Sequence, residues 1–376
     1  MDFDFTDEQR LLKDSVERLL TSRYGNFEKR RSYQSQPGGF DRAIWAEYAE
    51  VGLLALPFAE EDGGFGGGPV ETMIVMEAFG RALAVEPYLA SVVFAGAVLR
   101  HGAGAAIRAE FLPKLASGEA LFAVAHAERG SRYDLADVTV TARRDGDDYV
   151  LEGEKSVVQG GDSADFLIVS ARESGARRDR QGIGLFLIDA RADGVSRRGY
   201  PTQDGLRAAE ISLASLRVPA ARRVGDLAVL ERAADEAMAA LCAEAVGAME
   251  ALIALTVEYM KTRRQFGVPI ASFQALQHRA VDLYVAAEQA RSMAIYAALM
   301  AAEDDAEARG RAVAAAKSAV GRAAKLVGEE AIQLHGGIAM TMEYKAGHYF
   351  KRLAMIEAAF GNADHHLRRV AAAAAG

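Results

Sequence analysis

The hydrophobic pattern of this chain of 376 residues changes its period twice, and that change limits the possible folds more than any other feature. Up to about residue 120, apolar residues recur every three or four positions, as in amphipathic helices, and Thr6 precedes acidic residues as an N-cap does. Short alternating runs bounded by Gly, Asp and Arg then predict an antiparallel sheet over roughly a hundred residues. Long alanine-rich helical patterns fill the remainder. The sequence therefore predicts an α+β protein with an N-terminal helical domain (1–120), a middle antiparallel, β-barrel-like domain (121–228) and a C-terminal four-helix bundle (229–376).

The predicted elements have approximate bounds. The strand runs are 138–142, 149–151, 166–170, 184–188 and 211–213, and the charged stretch 143–148 is interpreted as a hairpin loop. The last helical segments are 273–301, 306–334 and 345–369. The glycine-rich run 63–69 lacks the Lys-Ser/Thr of a phosphate-binding loop, so it is interpreted as a flexible connection.

Composition argues against several classes of function. Lys and Arg number 44 against 52 for Asp and Glu, a net charge of -8, which argues against a dedicated nucleic-acid binder. The single cysteine, Cys242, excludes an internal disulfide and is expected to be a buried small hydrophobe. The adjacent His365 and His366 would point to different helix faces, so no metal site is expected. The apolar runs are too short for a membrane span and residues 1–5 lack a signal pattern, so a soluble, cytoplasmic protein is expected.

A basic cluster stands where a long apolar-faced helix must end, near Gly267 and Pro269. Lys261, Arg263 and Arg264 lie beside an aromatic residue there. From local spacing alone, the favoured interpretation is that these cations complement the helix dipole. The alternative is an anionic ligand held by guanidinium groups.

The same region carries a resemblance to a known family. The run from Arg263 to Gly267, with Pro269-Ile270, Phe273-Gln274, Gln333-Leu334-His335-Gly336-Gly337 and Glu343-Tyr344, resembles the C-terminal domain of the acyl-CoA dehydrogenase flavoproteins. The opening of the chain and its helix, sheet, bundle order are also similar to that family. The resemblance implies FAD as cofactor, an acyl-CoA as substrate, electron-transfer flavoprotein as acceptor and a role in fatty acid or lipid degradation. It implies no nucleic acid and no membrane as partner.

The resemblance also implies which residues hold the cofactor. Arg264 and Phe266 match the family's contacts to the diphosphate, and Gln274 matches a nearby glutamine. Three further residues match the turn beside the adenosine: Gln333, Gly336 and Gly337. Because the family contributes these groups across a subunit interface, the chain is expected to be an oligomer.

The segments that would surround the flavin ring depart from the family pattern. Where the family has Thr-Glu-Pro-Gly-x-Gly-Ser-Asp, residues 127–134 retain only Glu128, Gly130 and Asp134, and Ala127 has no hydroxyl. Where the family has Trp-Ile-Thr-Asn-Gly, residues 157–161 contain no tryptophan. The flavin ring therefore lacks some of its usual contacts.

The catalytic base is also missing from its usual place. In the family a glutamate removes the α-proton while the flavin takes hydride from the β-carbon. The position matching that glutamate is Phe360, and the other helix position that some members use is Ala237. Glu236 and Glu244 are the nearest candidates, although a solvated or structural carboxylate is the favoured interpretation for each.

Three hypotheses follow from this combination. The chain resembles most closely the small subunits of heterotetrameric bacterial members, of the pimeloyl-CoA and steroid side-chain type, in which a partner supplies the base. A homo-oligomeric flavoenzyme with a relocated glutamate base would instead bind flavin alone. A structural subunit that has lost the cofactor would bind none, even with its partner.

Overall fold

The computed structural model describes residues 5–375. The prediction about a signal segment concerns residues 1–5, of which 1–4 lie outside the described residues. The chain divides into two compact units. The helical unit comprises Met1–Arg30, Pro69–Ala84 and Met238–Gly376, and the sheet unit comprises Arg31–Gly68 and Val85–Ala237.

The helices occupy both ends of the chain. In chain order they are α1 (Asp7–Tyr24), α2 (Phe27–Gln34), α3 (Arg42–Glu50), α4 (Pro69–Ala82), α5 (Gly96–Gly102), α6 (Ala105–Ala116), α7 (Leu227–Thr262), α8 (Gln274–Ala301), α9 (Ala306–His335), α10 (Lys345–Ala358) and α11 (Ala363–Ala375), with a π-helix at Leu89–Ala95. The predicted N-cap is confirmed, because the Thr6 hydroxyl accepts a hydrogen bond from the Gln9 amide at 3.2 Å. The glycine-rich run 63–69 joins α3 to α4 without regular helix or strand before Pro69.

The sheet unit is built on one eight-stranded sheet. Its strands are β1 (Phe122–Ala125), β2 (Thr141–Asp145), β3 (Asp148–Gln159), β4 (Phe166–Arg172), β5 (Ile183–Asp189), β6 (Val195–Pro201), β7 (Arg207–Pro219) and β8 (Arg223–Asp226). Their order is β6-β7-β3-β2-β4-β5-β8, with β1 beside β4. The inward side chains of these strands form its apolar core.

Three details of the predicted sheet were wrong. The predicted strand 138–142 begins only at Thr141. The sheet is not purely antiparallel, because β1 runs parallel to β4. The charged stretch 143–148 is mostly strand, since Asp145 pairs with Asp148 and only Gly146 and Asp147 form the turn. Gly146 has a φ of 64°, which suits the first central position of a tight hairpin turn. The exposed positions of these strands carry charged residues, so the composition of the stretch resembled that of a loop.

Helices α4 and α7 cross within the helical unit at backbone-to-backbone contact. A Cβ on Gly80 would lie 1.9 Å from the carbonyl oxygen of Glu244, and one on Gly247 would lie 1.8 Å from that of Glu77. Both distances are far below any van der Waals contact, so each helix requires glycine where the other passes. Cys242, on the same stretch of α7, is fully buried as predicted, and burial raises the pKa of its thiol to about 12.

Helix α7 also has an unusual composition. Among residues 5–375 it alone is long and apolar enough, by length and composition, to cross a membrane. Of its most apolar window of 18 residues, 78% is buried inside the protein, which is the usual condition of a core helix.

The last predicted helix, 345–369, is two helices. Helix α10 ends at Ala358 and α11 begins at Ala363. Between them Phe360 and Gly361 adopt positive φ values of 56° and 117°. A helix cannot continue through left-handed backbone, so the apolar period on either side conceals a sharp turn.

We expect Gly247→Ala to lower the free energy of unfolding by about 1–3 kcal/mol, because the new methyl group overlaps the α4 backbone. The matched control is Gly321→Ala in α9, where the nearest atom to a Cβ lies 3.5 Å away. That control should be neutral or stabilising, because alanine is the better helix former. Urea unfolding of both variants tests this, and equal destabilisation would contradict it.

Candidate cofactor site

The basic cluster at the end of α7 leads into a short hairpin. Strands β9 (Arg264–Gln265) and β10 (Val268–Pro269) pair antiparallel, and Phe266 and Gly267 form the two-residue loop. Both loop residues have positive φ, 54° and 82°, as a type I′ turn requires. Asn-Gly is the usual sequence for this turn, and a left-handed phenylalanine costs about 1–2 kcal/mol. The Phe266 side chain is nevertheless 92% exposed.

The arginine of this hairpin is oriented by its own loop. The Nη2 atom of Arg264 donates to the carbonyl oxygen of Gly267 at 2.7 Å, and the side chain is otherwise exposed. Within the described part of the chain, Arg264 forms no ion pair with a carboxylate. Its remaining N–H donors are therefore available to an anion.

The glycine turn that ends α9 lies beside the end of α7. The ring of Tyr259 on α7 lies 4.7 Å from that of His335, and His335 lies 5.2 Å from Tyr344, measured between centroids. Gly336 then adopts φ 66° and ψ -147°, a conformation essentially restricted to glycine. No atom lies within 4 Å of a Cβ built on Gly336 or Gly337, so the backbone of this turn is open to a ligand.

The six predicted cofactor residues share two properties. All are exposed, and all belong to the helical unit: Arg264, Phe266, Gln274, Gln333, Gly336 and Gly337. A free guanidinium group, an exposed aromatic ring and an open glycine backbone suit the diphosphate and adenosine of a dinucleotide. The assignment of each residue remains a prediction.

Helix α8 is apolar on two faces. One face is buried within the helical unit and includes Leu283, Ala287, Ala290, Ala294 and Ala297. The other exposes large apolar side chains at Val281, Tyr284, Val285, Tyr296 and Leu299. A helix with two apolar faces normally has both covered. This exposed face is therefore a candidate contact with another chain.

Glu236, the first candidate base, lies in the sheet unit within a cationic cluster. Its carboxylate bonds the Nη2 atom of Arg100, and its Oε1 atom lies 2.6 Å from Nε2 of His101. Burial opposes ionisation, but the His101 hydrogen bond and the charges of Arg100 and Arg232 hold the pKa of Glu236 below its ordinary value. An ion-paired carboxylate with a lowered pKa is a poor proton acceptor.

Glu244, the second candidate, forms a buried ion pair in the helical unit. Its Oε1 and Oε2 atoms accept from Nε and Nη2 of Arg352, each at 2.6 Å. Bidentate pairing occupies both oxygens, so the geometry favours a structural role for this carboxylate. Arg352 lies on α10, more than a hundred residues from Glu244, and no local signal in the sequence links the two.

Glu128, retained in the altered loop, anchors that loop within the sheet unit. Its Oε2 atom accepts from the Thr139 amide at 2.8 Å, and its Oε1 atom accepts from the Val140 amide at 3.1 Å and from Nζ of Lys155 at 2.6 Å. The Lys155 ammonium is fully buried and also donates to Ser170 Oγ at 2.9 Å. Burial, opposed by Glu128, lowers the pKa of Lys155 to about 8. These bonds give Glu128 a structural role in its loop, although the residues around it differ from the family pattern.

Sequence reasoning missed Lys155, although a signal was present. It stands at an inward position of β3, next to buried Ser156 and before buried Val158. A lysine on the apolar face of a strand needs a partner.

The segment 157–161, where the family has tryptophan, retains an unusual backbone. The β3–β7 register shifts between Lys155 and Val158, and Val157 adopts a φ of 52° with half of its side chain exposed. Left-handed backbone is rare for a β-branched residue. Glu210 accepts hydrogen bonds from the backbone of Val157 and from Tyr200 Oη, the latter at 2.9 Å. The bulge is thus present in this chain, held by Glu210, with valine at its left-handed position.

Comparison with known proteins agrees with the architecture. Models of the acyl-CoA dehydrogenase N-terminal, middle and C-terminal domains match residues 6–119, 123–217 and 227–375. The chain belongs to the acyl-CoA dehydrogenase family. The predicted fold is therefore confirmed, and FAD is the cofactor of this family.

The similarity to known proteins extends over nearly the whole of this chain. Acyl-CoA dehydrogenase FadE27 of Mycobacterium tuberculosis is 30% identical, covering 98% of each chain. Acyl-CoA dehydrogenase IpdE2 of the same organism is 33% identical, covering 92% of this chain and 91% of its own. The solved ChsE4–ChsE5 complex of Mycobacterium tuberculosis matches with a TM-score of 0.90 and 30% identity, covering 100% of this chain and 99% of the other.

We expect Glu128→Gln to lower the free energy of unfolding by about 3–5 kcal/mol, because it leaves the Lys155 ammonium buried without a counter-charge. The double variant Glu128→Gln/Lys155→Met should recover much of that loss. Urea unfolding of the unmodified protein and of the two variants tests this, and a double variant no more stable than Glu128→Gln would contradict it.

The pH dependence of stability provides a second test. Burial, reinforced by the charge of Lys155, lowers the pKa of His126 from 6.5 to about 3. Between these values the unfolded chain binds a proton that the folded chain does not, so stability is lost as the pH falls below 6.5. At pH 5 this amounts to about 2 kcal/mol. His126→Asn should reduce the difference in unfolding free energy between pH 7.5 and pH 5 by this amount, and an unchanged difference would contradict it.

Proposed function

We propose that this chain is a subunit of an FAD-dependent acyl-CoA dehydrogenase that shares its flavin with a second, related chain, and that the second chain supplies the catalytic base. The observation that carries this proposal is the hairpin of Phe266. Its left-handed conformation is costly, and its side chain is 92% exposed. Within the chain its ring meets that of Phe273 edge-on, at 6.1 Å between centroids, and stays exposed. The costly conformation thus leaves the ring available to bind outside the chain.

The residues of this chain could bind the cofactor but could not abstract the proton. FAD supplies the acceptor for hydride in this family. Arg264 would neutralise the diphosphate, and the backbone of Gly336 and Gly337 would border the adenosine. Phe360, at the position of the family's base, has no group that accepts a proton. This chain therefore holds the cofactor, and proton abstraction falls to another polypeptide.

Two observations support a related chain as the partner. The exposed apolar face of α8 is large enough to need cover from another chain. The similar solved structure is a complex of two differently named chains, ChsE4 and ChsE5. We infer a hetero-oligomer, in the manner of the small subunits of heterotetrameric members, with an acyl-CoA as substrate and electron-transfer flavoprotein as acceptor. A cytoplasmic location and a role in lipid degradation belong to the same proposal.

The geometry does not favour the two alternatives. A self-sufficient enzyme needs a free carboxylate as base, but Glu236 and Glu244 are both engaged by arginine. A scaffold without flavin has no need of a strained Phe266 or of an arginine without an ion-pair partner. Both alternatives remain outcomes of the experiment.

The test is to purify the chain alone and after co-expression with its genomic neighbour, and to record the visible spectrum of each preparation. We expect no flavin in the chain alone and one flavin per pair of chains in the complex. A full complement in the chain alone would support the self-sufficient enzyme. A colourless complex would support the scaffold.

We expect Arg264→Ala, made in this chain of the complex, to weaken FAD binding at least about tenfold, because a charge-assisted contact to the diphosphate is lost. The matched control is Arg263→Ala, one position earlier at the same helix end, which should bind FAD as the unmodified complex does. Titration of FAD into the apo complexes measures both. Equal weakening would indicate a general effect of charge and would contradict a specific contact.

A further inference from the structure

A buried lysine lies beneath the turn that separates α10 from α11. Lys317, on α9, is 1% exposed and donates to the carbonyl oxygens of Ile356, Glu357 and Gly361, each at 2.9 Å. An ammonium group has three N–H donors, and all three are used. Burial lowers the pKa of Lys317, yet only the charged form has a donor for every acceptor.

The ammonium group stands where a helix end favours positive charge. Ile356 and Glu357 are in the last turn of α10, where carbonyl groups have no partner within the helix. The negative end of the α10 dipole therefore offsets the burial of the cation. In the part of the chain that the structure describes, Lys317 forms no ion pair with a carboxylate, so its bonds are directed entirely at backbone.

The bonds of Lys317 span the strained residue of the turn. Two of its acceptors precede Phe360 and the third follows it, while the Phe360 carbonyl oxygen lies 3.0 Å from Nε2 of buried His366. Phe360 has a φ of 56°, which is unfavourable for phenylalanine. Gly361 is itself closely packed, because a Cβ there would lie 2.6 Å from His366 Nε2. Hydrogen bonds before and after residue 360 therefore hold its backbone in this conformation.

We propose that Lys317 is a positioning residue that holds residue 360 in the left-handed conformation and so sets the direction of the side chain at the family's base position. The conformational part stands on the contacts alone, while its meaning for catalysis rests on the function proposed above. Helix α9 thereby serves two sites, because it carries Lys317 in its middle and ends at the glycine turn of Gly336. The side chain that this backbone presents here is that of Phe360, which has no group that accepts a proton.

The test compares alanine with glycine at position 360. Phe360→Ala and Phe360→Gly both remove the ring, so the difference in their stability reports the cost of left-handed backbone. With Lys317 present, we expect the unfolding equilibrium constant of Phe360→Gly to be about tenfold smaller than that of Phe360→Ala. In the Lys317→Met background the turn can relax, so this difference should disappear or reverse. A general loss of stability from Lys317→Met lowers the stability of both Phe360 variants equally, so it cancels in the difference between them.

Two controls isolate the effect. Phe266→Ala and Phe266→Gly probe another left-handed phenylalanine whose described hydrogen bonds do not involve Lys317, and their difference should be the same in both backgrounds. Lys325→Met, an exposed position on the same helix, should leave the difference at 360 intact. If Lys317→Met does not fold, Lys317→Gln keeps two N–H donors and should reduce the difference partly.

A difference at position 360 that persists unchanged in the Lys317 variants would overturn the proposal, because other contacts would then impose the conformation. The measurement is urea unfolding of the full chain and does not involve flavin. A complex of this chain with its partner that binds no flavin would therefore refute the proposed function without affecting this result.

Discussion

The helical unit depends on the crossing of α4 and α7, where Gly80 and Gly247 bring two backbones into contact. A side chain at either position would push the two helices apart and displace the other residues on them. Beside the crossing, Arg81 on α4 bonds Glu250 on α7 at 2.6 Å, and the Tyr349 hydroxyl of α10 donates to the Arg81 carbonyl oxygen at 2.6 Å. Helix α10, and with it the turn at residue 360, is thus tied to this crossing in addition to its other bonds with α7 and α9.

Three buried charged groups organise the rest of the protein, and each has hydrogen-bond partners within it. Lys155 is paired with Glu128, Glu244 with Arg352, and Lys317 with three carbonyl groups. A buried charge without a partner is costly, so these groups hold their neighbours in one arrangement. In the sheet unit this anchors the altered loop at 127–134, and in the helical unit it fixes the turn after α10. The protein has therefore kept its scaffold while the reactive side chains changed.

The difference between backbone and side chains is seen at two positions where this chain departs from the family's sequence. The backbone bulge at Val157 and the left-handed turn at Phe360 are both present, although the tryptophan and the glutamate that the family places there are not. The hairpin of Arg264 and Phe266 keeps both its strained backbone and its side chains. In the function that we propose, the side chains that would react or cover the ring are replaced, whereas those that would contact a neighbour's cofactor remain.

The order of helices and sheet, the N-cap at Thr6 and the burial of Cys242 follow from the sequence, because spacing and local chemistry determine them. The cofactor residues and the lack of a base at Phe360 are predictions from residue type and from the resemblance to the family. Only the tertiary structure decided that Glu244 is bound by Arg352, that Lys155 needs Glu128, and that the pattern 345–369 breaks at Phe360. Each of these depends on a partner far away in the chain, and hydrophobic periodicity reports which face of an element is buried but not which group it meets.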